Sequence, residues 1–310
     1  MDATLTIGTA SITNSNGSSI TINTSETTSV TRSLSMVAVQ YHKKIYQPGL
    51  VLAKVQVERT DYSDNDKELG VTPAQVIAYF RDKTIELKRG DDSVASDYYI
   101  YKVLPEYRRD SNSYQYATVT LYCYSRDHKL SLNPYCKTYV NKKLVGDSTK
   151  TGDKADGIIM AELTEEKGNG ILQKAGFSET TLDYANLRLL KYITKANADG
   201  TEIERKEFIQ PYLVQYNESF YDFLARTANR CGEFLYHEEG ALHIGIPKTT
   251  DSVDATLKTS DVLAYRHVGY STPIITPTND YTDGMDLGKA KNEPVLYATG
   301  TYIYYDELPI

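Results

Sequence analysis

The sequence predicts a mainly β fold of antiparallel sheet, and two observations indicate it. Short alternating runs of apolar and polar residues recur at close intervals with polar turns between them, which is typical of a barrel or a sandwich. The aromatic set is 27 Tyr, 6 Phe and no Trp. Because Tyr has an apolar ring and a wet hydroxyl, it suits half-buried strands and interfaces. The length of 310 residues allows two or three packed domains.

The N-terminal stretch, residues 1–35, is rich in Ser, Thr and Asn but still alternates in places. Residues 4–7 and 19–22 each place apolar side chains on one face, as a strand does. Turn residues at 14–18 predict that these two strands form a hairpin. Disorder is the competing interpretation of the whole stretch.

Strand signals continue through the first half of the chain. Two apolar runs within residues 37–57 flank Gln47, Pro48 and Gly49, which predict a turn. The stretch beginning at Thr72 is consistent with a short helix or a strand, because so short an apolar run has no decisive period. Further strands are predicted at residues 84–88, 97–104 and 114–124, and a helix is predicted at residues 156–166.

Residues 207–247 carry the most specific local pattern. A predicted strand at 209–216 runs into Ser219, which has Asp222 three residues later, a pair resembling a capping box. A helix is predicted to follow, with Gly232 as its left-handed C-terminal cap. Its apolar face, at spacings of three and four, consists of Phe220, Phe223, Leu224, Thr227, Ala228 and Cys231. A hairpin is predicted at residues 233–246, with its turn at 238–240.

Composition and charge exclude several classes of protein. The net charge of −7, without a basic cluster, disfavours nucleic-acid binding. No apolar stretch is long enough to span a membrane and the N-terminus lacks a signal peptide, so the chain is expected to be made in the cytoplasm without stable membrane insertion. Cys123, Cys136 and Cys231 fit no disulfide framework and are interpreted as buried thiols.

The sequence shows no constellation of residues that predicts catalysis, a cofactor or a metal site. His237 and His243 are expected to face each other across the predicted hairpin, the nearest approach to a metal pair, but no third ligand is convincing. Acidic pairs such as Glu238 and Glu239 are adjacent in sequence, so they rarely converge on a substrate. The nucleophile elbow, the phosphate-binding loop and the zinc-protease helix are all missing. Asp222 and Arg226, four residues apart, are expected to be able to pair on the helix.

One segment resembles a known family. Its matching residues are Gln215, Tyr216, Glu218, Ser219, Asp222, Phe223, Arg226 and Gly232. Their order resembles that of the VgrG spike proteins of type VI secretion systems and the related baseplate hub proteins of contractile phage tails. The resemblance is close over residues 207–247 and loose elsewhere. It assigns these eight residues a structural role.

The resemblance implies a homotrimeric hub that docks on the hexameric inner tube protein, carries a spike tip or needle and meets baseplate proteins. Each chain would contain two small antiparallel β-barrel domains with inserted helix and hairpin elements. The expected divisions are a first barrel at 1–135, an α/β insertion with part of the second barrel at 136–246, and the remainder of the second barrel at 247–310. The protein would leave the cell through the injection machine or form part of a virion.

Two alternatives stay open. The first is a phage or prophage baseplate hub, which one sequence does not separate from a secretion-system spike. The second, of another class, is a secreted carbohydrate-binding module or glycosidase that uses Tyr-rich strands.

The needle that follows the hub in the family has no counterpart here, since short glycine-rich repeats are missing. The needle is therefore expected to be a separate protein, or the chain to be an N-terminal piece of a longer one.

Overall fold

The computed structural model describes residues 3–59, 69–110, 113–185, 187, 191–193, 204–206, 209–245, 277–278 and 293–294. Within these ranges the fold is mainly β, and it is organised around two buried apolar clusters. The first cluster draws its buried residues from positions 5–123 and the second from positions 130–244. We refer to them as the first core and the second core.

An eight-stranded antiparallel sheet encloses the first core. Its strands are β1 (Ala3–Ile7), β2 (Ala10–Thr13), β3 (Ser18–Asn23), β4 (Ser29–Lys44), β5 (Gln47–Arg59), β6 (Thr84–Arg89), β7 (Asp92–Asp110) and β8 (Ser113–Ser125). They lie in the order β2-β1-β6-β7-β8-β5-β4-β3. Because the two edge strands approach each other, the sheet is nearly closed into a barrel.

The period-two pattern of β5 explains how the sheet curls around this core. Val51, Ala53, Val55 and Val57 are fully buried, and the residues between them are half-buried. Successive side chains of a strand point to opposite faces, so one face of β5 lines the interior of the barrel and the other meets solvent.

The ambiguous stretch after Thr72 is a helix, α1 (Pro73–Phe80). Thr72 and Gln75 form a reciprocal capping box, and proline stands at the start of the helix, where its missing N–H is not needed. Val76 and Phe80, four residues apart, are both buried in the first core. Local capping thus decides between the two conformations that the apolar run allowed.

The second half of the described chain consists of shorter elements. The strands are β9 (Pro134–Lys142), β10 (Leu182–Asp183), β11 (Lys191–Ile193), β12 (Glu204–Lys206), β13 (Gln210–Ser219), β14 (Leu235–Glu238), β15 (Ala241–Ile244), β16 (Pro277–Thr278) and β17 (Glu293–Pro294). The helices are α2 (Ile158–Leu163), α3 (Ile171–Lys174) and α4 (Phe220–Arg230). β9 pairs with β13, β15 lies between β10 and β14, and the other two pairs are β11–β12 and β16–β17.

Polar contacts join the two halves of the described chain. Tyr46, in the turn after β4, donates its backbone N–H to Leu235 O at 2.7 Å and its hydroxyl to Glu233 O at 2.8 Å. Arg126 forms a two-point ion pair with Asp97, with Nη2 2.7 Å from Oδ1 and Nε 2.5 Å from Oδ2. Two-point guanidinium–carboxylate contacts are geometrically specific, so this pair fixes the start of the second half against β7.

Several predictions about the first half need correction. Strands are present at residues 4–7 and 19–22, so the competing interpretation of this stretch as disordered is wrong. The two strands do not form a hairpin with each other. β1 pairs with β2 and β6, and β3 pairs with β4. The turn predicted at Gln47 lies earlier, at Ile45 and Tyr46, because Tyr46 adopts a left-handed φ of 59° and Gln47 already pairs with Lys44.

Most of the remaining strand and helix predictions in the described chain are confirmed. β6, β7 and β8 confirm the strands predicted at 84–88, 97–104 and 114–124, and α2 confirms the helix within 156–166. Cys123 is buried as expected, but Cys136 is exposed and Cys231 is intermediate, so the prediction of three buried thiols is wrong. The sequence also predicts a tight turn at residues 197–201, from its Asp-Gly pair, and strands at residues 295–299 and 302–305. All three lie outside the described residues. No helix in the described ranges is both long and apolar enough to cross a membrane.

Candidate functional site

The eight matching residues lie in one continuous unit, which we call the signature unit: the end of β13, α4 and the turn that ends α4. The strand runs directly into the helix, with Ser219 as the junction and the N-cap. A β-bulge interrupts the pairing of β13 with β9 between Tyr216 and Glu218. Asn217, the extra residue, has a left-handed φ of 49°. Bulges redirect the side chains that follow them, and here Glu218 is the first residue past the bulge.

The N-terminus of α4 is closed by a short local network. Ser219 Oγ accepts the backbone N–H of Asp222 at 3.0 Å and donates to Asp222 Oδ2 at 2.6 Å. The predicted N-cap is therefore confirmed. The second hydrogen bond of this pair joins the two side chains. A carboxylate in the first turn also interacts favourably with the positive end of the helix dipole. Buried Gln215 supports the same corner by donating Nε2 to Glu218 O at 3.1 Å.

Arg226 pairs with Glu218, and the suggested pairing with Asp222 is wrong. Arg226 Nε lies 3.1 Å and 3.0 Å from the two carboxylate oxygens of Glu218, and Nη2 reaches both Glu218 and the backbone oxygen of Val214. The hydrogen bonds to Glu218 raise the pKa of Arg226 above its usual value. Asp222 is engaged by Ser219, so the bulge and the cap together decide which acid meets the arginine.

Phe223 anchors α4 in the second core. It is fully buried, stacks on Tyr139 of β9 with ring centroids 5.2 Å apart, and lies 6.0 Å from the ring of Phe220. The Tyr139 hydroxyl donates to the buried carboxylate of Glu162 at 2.9 Å. Burial, then the nearby charge of Glu162, raises the pKa of Tyr139 well above its usual range. The aromatic stack thus links α4 to β9 and α2.

Gly232 ends α4 as predicted. Its φ is +75°, its N–H bonds to Asn229 O at 2.9 Å, and the N–H of Glu233 bonds to Ala228 O at 2.8 Å. These two bonds form a Schellman motif, in which glycine adopts the left-handed conformation without a side-chain clash. The hairpin that follows is also present, with Glu239 and Gly240 at φ of 48° and 79° in its two-residue turn. This turn suits a β-hairpin because both central residues have positive φ.

The two hairpin histidines do not face each other, which corrects the arrangement expected from the sequence. Tyr236 lies opposite His243 and stacks on it with ring centroids 4.9 Å apart, whereas His237 lies opposite Leu242. His243 Nδ1 is 3.2 Å from Asp183 Oδ2. In the part of the chain that the structure describes, no three His, Cys, Asp or Glu side chains form a group that could hold a metal ion.

His237 belongs instead to a buried junction between the two cores. Its Nδ1 lies 3.3 Å from Asp127 Oδ1 and its Nε2 lies 3.3 Å from the backbone oxygen of Ser96. Asp127 is fully buried, and its charge contributes, after burial itself, to raising the pKa of Tyr221 on α4. Sequence reasoning missed Asp127, since a lone acid between strands carries no pattern, and its importance depends entirely on tertiary contacts.

No protein-family model matches the sequence, and no curated protein matches it significantly. Solved structures do match. The fold is similar to that of phage-tail and type VI secretion proteins.

One similar structure is the 43 kDa tail protein of prophage MuSo2 from Shewanella oneidensis, with 12% identity and a TM-score of 0.40 over 82% of this chain and 58% of that one. Another is the Escherichia coli c3393 protein, a component of the type VI secretion system that is structurally similar to the bacteriophage T4 tail proteins gp27 and gp5. It has 9% identity and a TM-score of 0.40 over 68% of this chain and 48% of that one. The chain thus spans about half the length of the two proteins.

The polar side chains of the signature unit are mostly engaged within the unit itself. Glu218, Ser219, Asp222 and Arg226 bond to one another or to the backbone of β13, and Phe223 is enclosed. Tyr216 is the exception, because 78% of its surface is exposed. A phenol ring presented on a strand is suited to packing against another surface.

Proposed function

We propose that this chain is the hub component of a contractile injection machine, forming a trimeric ring that links the inner tube to the spike tip. The chain would act through surface complementarity and without catalysis. The proposal rests on the resemblance of the signature residues to the VgrG and baseplate hub families. Its partners would be two further copies of the chain, the hexameric tube protein, a spike tip and baseplate proteins.

The observation that carries the proposal is the self-contained geometry of the signature unit. Its polar residues cap α4 and hold Arg226 on Glu218, while Phe223 and the Schellman turn fix the helix in the second core. Residues used in this way maintain a shape, as expected for a protein whose function is assembly. A catalytic site would instead require a nucleophile, an acid or a base directed toward a substrate.

The domain divisions belong to the same proposal. Residues 1–135 would form the first barrel, residues 136–246 the insertion with part of the second barrel, and residues 247–310 the remainder of that barrel. Two barrels in each of three chains would present a ring of six similar units to a six-membered tube ring. Such a match of symmetry lets one surface meet a hexamer without six identical subunits.

The first experiment is light scattering coupled to size exclusion at several concentrations, followed by co-sedimentation with assembled tube protein. A hub should have a mass near three times 34.8 kDa and should pellet with tubes. A monomer at every concentration that also fails to bind tubes, with a spike tip supplied in trans, would contradict the proposal. A phage or prophage baseplate hub would give the same result, and the neighbouring genes would distinguish the two.

A further inference from the structure

A cleft of about 360 Å³ lies on the outer face of the eight-stranded sheet, beside the turn that joins β4 to β5. The residues that line it are His42, Lys44, Gln47, Pro48, Leu50 and Tyr124. This volume lies near the lower end of the range of about 300–1,000 Å³ that is typical of small-molecule sites, so it suits a ligand of one or two rings. No signature residue lines the cleft, which is therefore separate from the signature unit.

The strand register brings the lining residues together on one face. Tyr124 of β8 lies opposite Leu50 of β5, and Leu50 lies opposite His42 of β4. Residues that are directly opposite in an antiparallel pair point to the same side of the sheet. Val51 and Cys123, the neighbours of Leu50 and Tyr124 in sequence, are fully buried in the first core. Because successive side chains of a strand alternate, the row of three residues faces outward.

Tyr124 is held in place by the aromatic residues around it. Its ring stacks on His128, with centroids 4.0 Å apart and an angle of 13° between the planes. Burial lowers the pKa of His128, so the imidazole is neutral at pH 7 and its Nδ1 accepts the hydroxyl of Tyr99 at 2.8 Å. Tyr101 packs edge-on against Tyr124 and His128, at 5.9 Å and 4.7 Å. A ring that is fixed before binding loses little conformational entropy when a ligand packs on it.

The polar side chains at the cleft favour a negatively charged ligand. The described residues that line it include no Asp or Glu, although the chain as a whole has a net charge of −7. Lys44 supplies a positive charge, and the amide of Gln47 both donates and accepts hydrogen bonds. Lys102 of β7 adds a second positive charge to the same outer face, with Nζ 5.2 Å from the centre of the Tyr122 ring. Charge complementarity of this kind selects anionic partners.

We propose that this cleft binds an acidic sugar, a saccharide of one or two rings that carries a carboxylate. The apolar C–H face of the sugar ring packs on Tyr124 and Leu50, and the carboxylate meets Lys44. Gln47 exchanges hydrogen bonds with ring hydroxyls, which also both donate and accept. An acidic sugar uses the apolar and the cationic parts of the lining together. A simple anion or an apolar ligand would use only one of them.

Saturation-transfer difference NMR on the full chain tests the proposal with three probes, namely glucuronate, glucose and acetate. Glucuronate should receive saturation on its ring protons and should bind about three- to fivefold more tightly than glucose, as expected for one exposed charge pair. Acetate has no ring to pack on Tyr124, so it should bind more weakly than either sugar. Equal affinities for glucuronate and glucose would overturn the proposal. Acetate binding as tight as that of glucuronate, or the lack of transfer to glucuronate, would overturn it as well.

Variants separate the two parts of the site. Lys44 is exposed, so Lys44→Glu should fold normally, weaken glucuronate binding about tenfold and change glucose binding less than about twofold, because a repulsion replaces an attraction. Lys167→Glu, a matched change at an exposed residue between α2 and α3, should leave both affinities unchanged.

Tyr124→Leu should abolish transfer to both sugars, whereas Tyr124→Phe should keep it. Equal effects of Lys44→Glu and Lys167→Glu, or full binding by Tyr124→Leu, would refute the assignment. No probe or variant depends on tube binding or on the trimer. The sugar site can therefore fail while the hub function holds, and the reverse.

Discussion

Replacing Phe223 with alanine tests the idea that the signature unit is anchored by its aromatic residue. Phe223 is fully buried and stacks on Tyr139 at 5.2 Å, and the Tyr139 hydroxyl bonds to buried Glu162 at 2.9 Å. The Phe223→Ala change removes the ring, leaves a cavity and frees one face of Tyr139. It also removes the aromatic contact by which Phe223 joins α4 to β9.

The expected loss of unfolding free energy is about 4 kcal/mol. Phe→Ala changes in cores cost about 3–5 kcal/mol, which includes the cavity that the surroundings fail to fill. The upper part of this range applies because the lost stack is worth about 0.5–1.5 kcal/mol beyond burial. Phe223→Leu keeps most of the volume and should cost about 1 kcal/mol. Since a domain is stable by only about 5–15 kcal/mol, the alanine variant should lie near the threshold of folding.

Urea unfolding followed by tyrosine fluorescence is a suitable assay, because the chain has 27 Tyr and no Trp. Alkylation of Cys123, which is buried in the first core, reports separately on that core. Burial raises the pKa of the Cys123 thiol to about 12, so it reacts only on unfolding. The alanine variant should shift the transition of the second core and leave Cys123 protected at low urea. A loss below about 1 kcal/mol, or one equal to that of the leucine variant, would refute the argument.

Three further changes have definite expected outcomes. Ser219→Ala should lower the unfolding free energy by about 1 kcal/mol because the N-cap bond to Asp222 is lost. Gly157→Ala should destabilise the chain by about 3 kcal/mol or more, because a Cβ there would lie 1.9 Å from the backbone oxygen of Val145. Burial acts to raise the pKa of Asp156, but bonds from a backbone N–H and two lysines outweigh it and hold its pKa well below 3.8. Its stabilisation is therefore complete above about pH 4 and is lost as the pH falls through the depressed pKa.

Each of these predictions has a control measured in the same urea or acid titration. Ser219→Thr keeps a hydroxyl that can accept the N–H of Asp222 and donate to its carboxylate, so it should retain most of the stability. Gly168→Ala meets no atom within 4 Å and keeps only the strain of a φ of +68°, so it should cost about 1 kcal/mol. Asp156→Asn should unfold with a flatter pH dependence below about pH 4 than the unmodified chain. A steep acid transition in that variant would show that other carboxylates control it.

The local structure could be predicted from the sequence wherever neighbouring residues determine the conformation. The cap at Ser219, the period of α4, the left-handed Gly232 and the turn at Gly240 all depend on residues within a few positions of one another. The same holds for the strands of the first sheet, whose alternation follows from a buried face and a wet face. The mainly β class, α2 and α4 could therefore be predicted, whereas the sequence left α1 ambiguous and did not predict α3.

Pairings between distant segments were decided by the tertiary structure. β1 pairs with β6, and β3 with β4, although the nearest turn residues suggested a hairpin of β1 with β3. The alternation of apolar and polar residues indicates which face of a strand is buried, but it does not indicate which strand lies beside it in the sheet. Similarly, Arg226 meets Glu218 because the bulge at Asn217 redirects the chain, and a left-handed bulge residue has no period to reveal it.

The sequence by itself determined a β-rich chain, a capped helix with its hairpin, and the resemblance of eight residues to hub proteins. Only the tertiary structure placed Asp127 beside His237 between two cores, exposed Cys136, and left the Tyr212 side of β13 uncovered in the described chain. The physical reason is the separation along the sequence between the residues that interact. Capping and periodicity act over one or two turns, whereas burial and ion pairing depend on residues that the chain brings together from far apart.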